Sequence, residues 1–478
     1  MASRIKVLSN ALAQFIGKIL TVAASLVIVK ITTGFGAEFY GNYLTAYEFL
    51  AFFGILADAG LFAIGVREMS KRPEKTEFVL SNIFSMRLLL IIGVTLLAGI
   101  SAQFIPNYPE IVKTGIWITA LSMALTIIAG TLSSVLQARM KIQYFSGSLV
   151  LGKILLAVLI FFISQNITLF PNVFFAMLWA GVLSNFIFCL LVLFFATREV
   201  PLRLGFDLSW WREIFRVSLP YGMALILQTL YLRIDILLIS IILGASAVGI
   251  YGVSTRILES FLILGVFFGQ AILPRLSAEE GNQKKAEKTL SWGIEMLLIF
   301  SLPIILGTIV FAPEIIQLIS SEEFLSRPGF FGSDKVLIFL VITVFFAYFN
   351  QLFTFTLVAK NRQKYLLFVN GIALLLNTGL NITFLTQFGI IAAALSTIAC
   401  EMIVFFLLMR AIFSSYRPTF SGKNLGVIAL ANVLLFCLIY LTPLKGNLIL
   451  AAALGGLIYF GFLMVFRKQF LPQESEIL

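Results

Sequence analysis

Twelve charged side chains interrupt the long apolar runs of this sequence. The basic ones are Lys18, Lys30, Arg87, Lys153, Arg233 and Arg256, and the acidic ones are Glu48, Asp58, Asp235, Glu259, Glu295 and Glu401. Each such charge costs about 2.5 to 3.5 kcal/mol near the centre of a membrane helix on insertion scales. These side chains must therefore pair with one another or face a water-filled passage. In such a passage they could bind ions or charged substrates.

Arginine and lysine in these runs are candidates for binding an anionic substrate. We expect Arg233 and Arg256 to do so, because two guanidinium groups at one depth repel each other unless acids or an anion intervene. Lys18 shares one face of the first apolar run with Gln14 and Asn10, at helical spacing, and we expect these three to contribute. The alternative is that each charge only holds two helices together, as a pair between Lys18 and Asp58 would.

The acidic side chains are candidates for coupling to an ion gradient. We expect Asp235 and Glu259 to respond to H⁺ or Na⁺, with Glu48 and Asp58 as further candidates. When such a carboxylate is hydrated, neighbouring cations favour its charged form. When it is buried, desolvation favours its neutral, protonated form. Depth along the predicted spans also suggests that Asp58, Lys18 and Arg87 meet.

Composition places the chain in the class of integral membrane proteins. Hydrophobic residues make up 60% of the chain and charged residues only 12%, whereas soluble domains carry about 25% charged residues. Histidine is absent, and the three cysteines lie in apolar runs without CxxC spacing, so we expect no disulfide, metal site, cofactor or catalytic residue. The net charge of +11 resides mostly in short loops, which indicates membrane orientation and not a nucleic-acid partner.

Apolar runs of about 20 residues, the length that crosses about 30 Å of hydrocarbon, recur along the chain. They predict an all-α polytopic membrane protein of about fourteen transmembrane helices. The spans are expected near 9–32, 40–66, 79–101, 115–136, 145–163, 173–196, 217–243, 249–274, 290–312, 336–359, 365–385, 390–409, 424–441 and 448–466.

The distribution of basic residues predicts the orientation of these spans. If the N-terminus is cytoplasmic, 24 of the 34 lysines and arginines fall in inner segments and four in outer ones. Because positively charged loops remain on the cytoplasmic side, we expect a multi-pass protein of the cell membrane with both termini inside.

A repeat divides the chain. The sequence FGAEFYGNYLTAYEFLAFF from Phe35 returns as LGASAVGIYGVSTRILESF from Leu243, so that Gly36, Gly41 and Tyr43 align with Gly244, Gly249 and Tyr251. One aligned pair inverts a charge, with Glu48 opposite Arg256. We predict two parallel six-helix repeat lobes plus two extra C-terminal helices. Their bounds are 1–196 for the N-lobe, 197–216 for a cytoplasmic interfacial linker, 217–409 for the C-lobe and 410–478 for the last two spans and tail.

The first repeat segment, preceded by a helix with Asn10, Gln14 and Lys18, resembles the opening of the polysaccharide-transporter flippases. These belong to one superfamily with the multidrug and toxin extrusion antiporters and the lipid II flippases. The resemblance implies export of a polyprenyl-diphosphate-linked oligosaccharide by alternating access, with membrane lipids around it and cations on the first, second, seventh and eighth helices. Lys18, Arg233 and Arg256 fit that pattern, whereas the second helix carries the acids Glu48 and Asp58.

Two other functions stay open at this stage. A multidrug antiporter of the same superfamily would bind organic cations through acids such as Glu48 and Asp235. An integral glycan polymerase or ligase would need catalytic carboxylates or a nucleophile on a substantial loop, and none stands out in the sequence.

The predicted orientation can be tested by cysteine labelling. Cysteines replacing Lys284 or Lys285 should react only from the cytoplasmic side, and one replacing Arg327 only from outside, because the basic loops stay inside. The measurement uses an impermeant thiol reagent on intact cells and inverted vesicles of an otherwise cysteine-free protein. Labelling of both positions from one face would contradict fourteen spans.

Overall fold

The computed structural model describes residues 2–58, 60–279, 282–360, 362–441 and 447–466, with side chains on the first helix from Gln14 onward. Within these ranges the chain forms sixteen α-helices joined by turns and short loops. They are α1 (Ala2–Thr33), α2 (Ala37–Asp58), α3 (Leu61–Lys71), α4 (Thr76–Gln103), α5 (Glu110–Ala138), α6 (Ile142–Gln165), α7 (Val173–Thr197), α8 (Leu208–Ile242), α9 (Ala245–Ala278), α10 (Gln283–Ile319), α11 (Ser333–Leu340), α12 (Ile342–Ala359), α13 (Gln363–Phe388), α14 (Ile390–Phe413), α15 (Gly422–Leu441) and α16 (Leu448–Val465).

Among the described residues, fourteen stretches are long and apolar enough to cross a membrane. The predicted all-α architecture and the number of spans are thus confirmed. Two spans differ from the prediction of a single helix. The second consists of α2 and α3, separated at Gly60, whose φ of +77° favours glycine over L side chains. The tenth consists of α11 and α12, which meet at Val341.

The helices divide into two compact units. Unit 1 comprises Met1–Gly252 with Ile319–Ser321, and unit 2 comprises Val253–Leu318 with Glu322–Leu478. The division falls inside α9, so α8 and the first two turns of α9 belong to unit 1. The spans are helical because hydrocarbon offers no hydrogen-bond partner to backbone N–H and C=O groups. An α-helix satisfies these groups within its own backbone.

In unit 1, α8 packs along α2 and also contacts α3 and α4. Hydrogen bonds hold it at both ends. At its C-terminal end, the Tyr108 and Ser240 hydroxyls lie 2.7 Å apart, and the Asn107 amide donates to the Ile241 carbonyl at 2.6 Å. At its N-terminal end, Asn82 Oδ1 accepts from the indole nitrogen of Trp211 at 2.9 Å. These bonds set the register at which α8 presents its charged residues to α2.

The segment 197–216, predicted as a linker, contains the first turns of α8. Asp207 caps this helix, since its Oδ1 accepts from the backbone nitrogen of Trp210 at 3.0 Å. Hydrogen bonds from the Ser209 hydroxyl and from that backbone nitrogen hold the pKa of the Asp207 carboxyl below its ordinary value. Trp210 packs edge to face on Phe78 of α4, so this part of the segment is docked on unit 1.

The repeat seen in the sequence is visible in local structure. The aligned Gly36 and Gly244 both have positive φ, +100° and +86°, in the turns that precede α2 and α9. The starts of these two helices touch backbone to backbone. A Cβ on Gly41 would lie 1.7 Å from the carbonyl oxygen of Ala245, and one on Gly249 would lie 2.2 Å from that of Ala37. Since Ala37 aligns with Ala245 and Gly41 with Gly249, the two segments pack about a local twofold axis.

In unit 2, α14 is the central helix and packs against α11, α12 and α13. The C-terminal pair α15 and α16 forms a separate apolar cluster with α10, whose buried members include Ile299, Phe311 and Tyr459. The Tyr459 hydroxyl donates to the Ile299 carbonyl at 2.9 Å, which ties α16 to α10. The two extra helices therefore belong to unit 2.

Candidate functional site

Asp58, the last residue of α2, receives the guanidinium of Arg87 on α4. The Arg87 side chain is only 5% exposed, and α2 ends at this point because the chain turns at Gly60. The pair neutralises two charges at a depth where either alone would be expelled from hydrocarbon. The predicted meeting of Asp58 and Arg87 is therefore observed.

Lys18 does not join that pair among the residues that the structure describes. Its side chain lies on the exposed face of α1, together with Gln14. The buried face of α1 carries Gly17 and Thr21 instead, and a Cβ on Gly17 would touch Ser146 of α6. The alternative pair of Lys18 with Asp58 is wrong, because Gly17 lies in the interface between α1 and α6 whereas Lys18 lies on the exposed face of α1. The side chain of Asn10 lies outside the described residues.

A second ion pair joins α2 to α8. Arg233 binds Glu48 Oε2 through Nη1, and the carboxylate is only 3% exposed whereas the arginine is 32% exposed. A buried carboxylate that receives a guanidinium avoids most of its desolvation penalty. Sequence reasoning placed Glu48 opposite Arg256 in the repeat and did not identify Arg233 as its partner, since that pairing depends on α8 lying along α2.

Asp235 lies two residues beyond Arg233 and is buried. Its Oδ2 accepts a hydrogen bond from the hydroxyl of Tyr251 at 3.1 Å, and Tyr251 itself is buried on the first turns of α9. Tyr231, one turn before Asp235 on α8, is buried as well. A carboxylate in this position is linked directly to the segment that the repeat identified.

Arg256 and Glu259 form an ion pair one turn apart on α9, within unit 2. Nη1 of Arg256 lies 2.9 Å from Oε2 of Glu259, and the side chains are 27% and 48% exposed. Exposed pairs at this spacing contribute little to stability. The guanidinium is therefore held in place by Glu259 yet keeps an accessible side.

Two buried acids of unit 2 bind asparagine amides from neighbouring helices. Glu401 on α14 accepts from Asn350 Nδ2 at 2.7 Å, and Glu295 on α10 accepts from Asn424 Nδ2 at 2.8 Å. Sequence reasoning singled out both acids but not Asn424, which begins an apolar run. Glu295 follows Arg87 by 208 positions, the same offset that separates Glu48 from Arg256 (295 − 87 and 256 − 48). These equivalent positions therefore carry opposite charges and bind different partners.

An apolar cavity of about 450 Å³ lies in unit 2 between α10, α15 and α16. Three glycines, Gly307, Gly455 and Gly456, form part of its wall, and the aromatic rings of Phe300 and Phe460 form another part. The absence of side chains on the glycines leaves room for an occupant. A cavity with such walls suits a hydrocarbon chain.

The comparison with known families concerns more than half of this chain. A family model described as "Polysaccharide biosynthesis protein" matches residues 34–327. The chain belongs to this family. A probable low-salt glycan biosynthesis flippase of Haloferax volcanii, Agl15, is 25% identical to it over 188 residues, which is 39% of this chain and 39% of that flippase. The match thus spans well under two thirds of the relative.

Solved structures show how this polysaccharide biosynthesis protein is folded. The lipid II flippase MurJ in its inward closed conformation superposes with a TM-score of 0.76 at 18% identity, over 97% of this chain and 99% of MurJ. An inward-facing multidrug resistance MATE family transporter of the MOP superfamily gives 0.67 at 15% identity, over 84% and 98%. A MOP superfamily transporter of Pyrococcus furiosus, described by a reversed polarity of its binding pocket, gives 0.61 at 16% identity, over 86% and 96%.

Family and fold together confirm the resemblance of the opening segment to polysaccharide transporters. The protein is a multi-pass membrane protein with the fold of the MOP superfamily. That fold is shared by a lipid II flippase and by multidrug resistance MATE transporters, so the fold does not identify the substrate of this chain. The identity of the substrate must be inferred from the charged residues of this chain.

Replacement of one partner of the pair between Arg87 and Asp58 should destabilise the protein strongly. Arg87→Met leaves the carboxylate without its cation and should cost about 3 to 5 kcal/mol, whereas adding Asp58→Leu should restore most of that loss. The measurement is the midpoint of thermal unfolding in detergent. As a control, Glu110→Ala, which breaks an exposed pair with Lys113, should leave the midpoint nearly unchanged. Equal midpoints for Arg87→Met and wild type would contradict a structural role.

Proposed function

We propose that this protein is a flippase that moves a polyprenyl-diphosphate-linked oligosaccharide from the cytoplasmic to the outer leaflet by alternating access. The observation that carries the proposal is that the candidate cations on α1 and α8 are accessible, whereas the acids Glu48 on α2 and Asp235 on α8 are buried. Lys18 is exposed and Arg233 is partly exposed, whereas Glu48 and Asp235 are buried and occupied by Arg233 and Tyr251. Arg256 also keeps an accessible side beside Glu259. A ligand that reaches these helices meets guanidinium and ammonium groups, which favour an anion.

A diphosphate fits such groups well. A pair of unit charges 4 Å apart gains about 4 kcal/mol at an effective dielectric constant near 20. Arginine adds paired hydrogen bonds to phosphate oxygens. We assign the phosphate contact to Arg256, with Arg233 and Lys18 as further cations, and the sugar contacts to Gln14 and Asn10.

The polyprenyl chain of this substrate needs an apolar path. The cavity between α10, α15 and α16 has apolar walls and a volume of about 450 Å³. Each methylene group that leaves water contributes about 0.8 kcal/mol, so a chain of isoprene units would favour such a cavity over water. We assign the first part of the lipid tail to it.

Alternating access requires contacts that can separate. We propose that the lobes 1–196 and 217–409 rock about the linker 197–216, with both termini in the cytoplasm. The meeting of Gly41 and Gly249 supports this, because it joins the two repeat segments through close backbone contact. Small residues allow helices to approach closely in membranes, and the association they give is reversible.

The driving ion is proposed to be H⁺ or Na⁺, bound by acids near the cations. Asp235 and Glu259 are the first candidates, since Asp235 contacts Tyr251 and Glu259 holds Arg256. Glu48 and Asp58 are each bound to an arginine, so a cation could reach them only after that pair opens.

A second candidate function is export of organic cations. The multidrug transporters that share the fold, together with the 48% exposure of the Glu259 side chain, favour it. A cationic drug would have to compete with Arg256 for that carboxylate. A glycan polymerase or ligase is the third candidate, and the described loops of this chain offer it no specific support.

Transport in proteoliposomes tests the proposal. The wild-type protein should move a fluorescent polyprenyl-diphosphate sugar and not a cationic dye. Arg256→Lys keeps the charge but loses the planar fork, so flipping should fall partially, whereas Arg256→Ala should nearly abolish it while the protein remains monodisperse.

The double variant Arg256→Gln with Glu259→Gln separates a substrate contact from a structural pair. The reference is Glu259→Gln alone, which isolates any coupling role of Glu259. If Arg256 only neutralises Glu259, the double variant should flip as fast as this reference and faster than Arg256→Gln. Restored flipping would therefore reject the phosphate contact, and transport of the dye alone would reject the flippase.

Obstruction of the apolar cavity should impair flipping of long-chain substrates. A Cβ on Gly456 meets no neighbour within 4 Å, so Gly456→Trp can place its ring in the cavity without distorting α16. Flipping of a substrate with a long polyprenyl chain should fall several-fold, and that of a short-chain analogue should change less. The control is Gly461→Trp, on the same helix and equally unobstructed but outside the cavity wall. Equal loss in both variants would reject a role of the cavity.

A further inference from the structure

A cavity of about 640 Å³ at one end of α13 and α14 is lined by three cations, Arg362, Lys364 and Arg410. Tyr365 and Ser414 also line it. Among the described residues of its wall there is no carboxylate, and Lys364 and Arg410 have no ion-pair partner in the described part of the chain. Three positive charges thus share one concave wall whose described residues include no acid, and such a surface raises the local concentration of anions.

The walls of this cavity are tied together. The Tyr365 hydroxyl donates to the Leu407 carbonyl at 3.0 Å and so joins α13 to α14. The ammonium group of Lys360 lies 3.6 Å from the centre of the Tyr416 ring, which joins the end of α12 to the segment after α14. The cavity is therefore part of the folded structure of unit 2 and not a gap between separate loops.

Its position matches the boundary of a membrane. In the structure Lys364 begins the span Lys364–Phe388, and Arg410 lies in the last turn of the next span, Ile390–Phe413. Both residues therefore stand where hydrocarbon meets water on the same face. The side chains one turn further into the spans are large, apolar and exposed, namely Phe368 on α13 and Phe406 on α14. Lys364 and Arg410 are thus each followed, toward the middle of the membrane, by an exposed apolar side chain.

We propose that this cavity binds the phosphate headgroup of an anionic membrane phospholipid, whose acyl chains lie on the exposed faces of α13 and α14. Basic pockets between membrane helices suit such headgroups. An anionic lipid is preferred to a zwitterionic one because the cavity offers three cations and, among the described residues of its wall, no acid for a choline or ethanolamine group. The site is separate from the residues assigned to the transported diphosphate.

Native mass spectrometry of the purified protein with phosphatidylglycerol or phosphatidylcholine tests this site. The wild type should retain phosphatidylglycerol in preference. Lys364→Gln with Arg410→Gln removes two cations and should weaken that binding about thirty-fold, since each basic residue near a membrane surface contributes on the order of 1 kcal/mol. The matched control, Lys71→Gln with Arg72→Gln, removes two exposed charges from unit 1 and should keep the preference.

Three outcomes would overturn the proposal. The first is an unchanged preference for phosphatidylglycerol in the Lys364 and Arg410 variant. The second is equal loss in the control variant, which would reduce the effect to net charge. The third is wild-type binding of inorganic pyrophosphate at this site without a preference between the two lipids, which would make it a site for a free anion. If the double variant is not monodisperse, the exposed single variant Lys364→Gln gives the same comparison with an expected loss of about five-fold.

Discussion

The structure depends on neutralising charges that would otherwise face hydrocarbon. Arg87 binds Asp58 and Arg233 binds Glu48, and both pairs connect α2 to another helix of unit 1. An isolated charge in this environment would be expelled, so each pair restricts how α2, α4 and α8 can be arranged. The break at Gly60 belongs to the same constraint, because it ends α2 where Asp58 reaches Arg87.

The two repeat segments have similar backbone conformations and contacts, but their charged residues differ. Gly36 with Gly244 and Gly41 with Gly249 keep the same conformation and the same contact in both copies. Glu48 and Arg256 occupy aligned positions yet carry opposite charges. A protein built from two related segments needs a common packing geometry, and the substrate proposed above, which has one charged end, needs an asymmetric environment. The glycines meet the first requirement and the charges the second.

The lipid environment accounts for two further features of unit 2. The cavity beside α15 and α16 has apolar walls, and the cavity at the ends of α13 and α14 is lined by cations. One suits a hydrocarbon chain and the other a phosphate headgroup. Both are bounded by helices that also hold buried acids, since Glu295 binds Asn424 and Glu401 binds Asn350. In each pair an uncharged amide donates a hydrogen bond to the buried carboxylate.

The sequence by itself determined the membrane class, the fourteen spans, the repeat and the family. The membrane class, the spans and the repeat follow from composition, from the length of apolar runs and from the spacing of glycines, which are local properties of the sequence. The family follows from the resemblance of the opening segment to polysaccharide transporters. The sequence also identified the charged positions inside the spans. It did not determine their partners, because a partner lies on another helix whose rotation depends on packing.

Only the tertiary structure decided these partners. Gly17 packs against α6 and Lys18 lies on the exposed face of α1, so of these two candidate cations it is Arg87 that binds Asp58. The docking of α8 along α2 brings Arg233 to Glu48, 185 residues apart in the chain. Depth along a span can be counted from a sequence, but the face of a helix that meets a given neighbour is a collective result of how all the side chains pack.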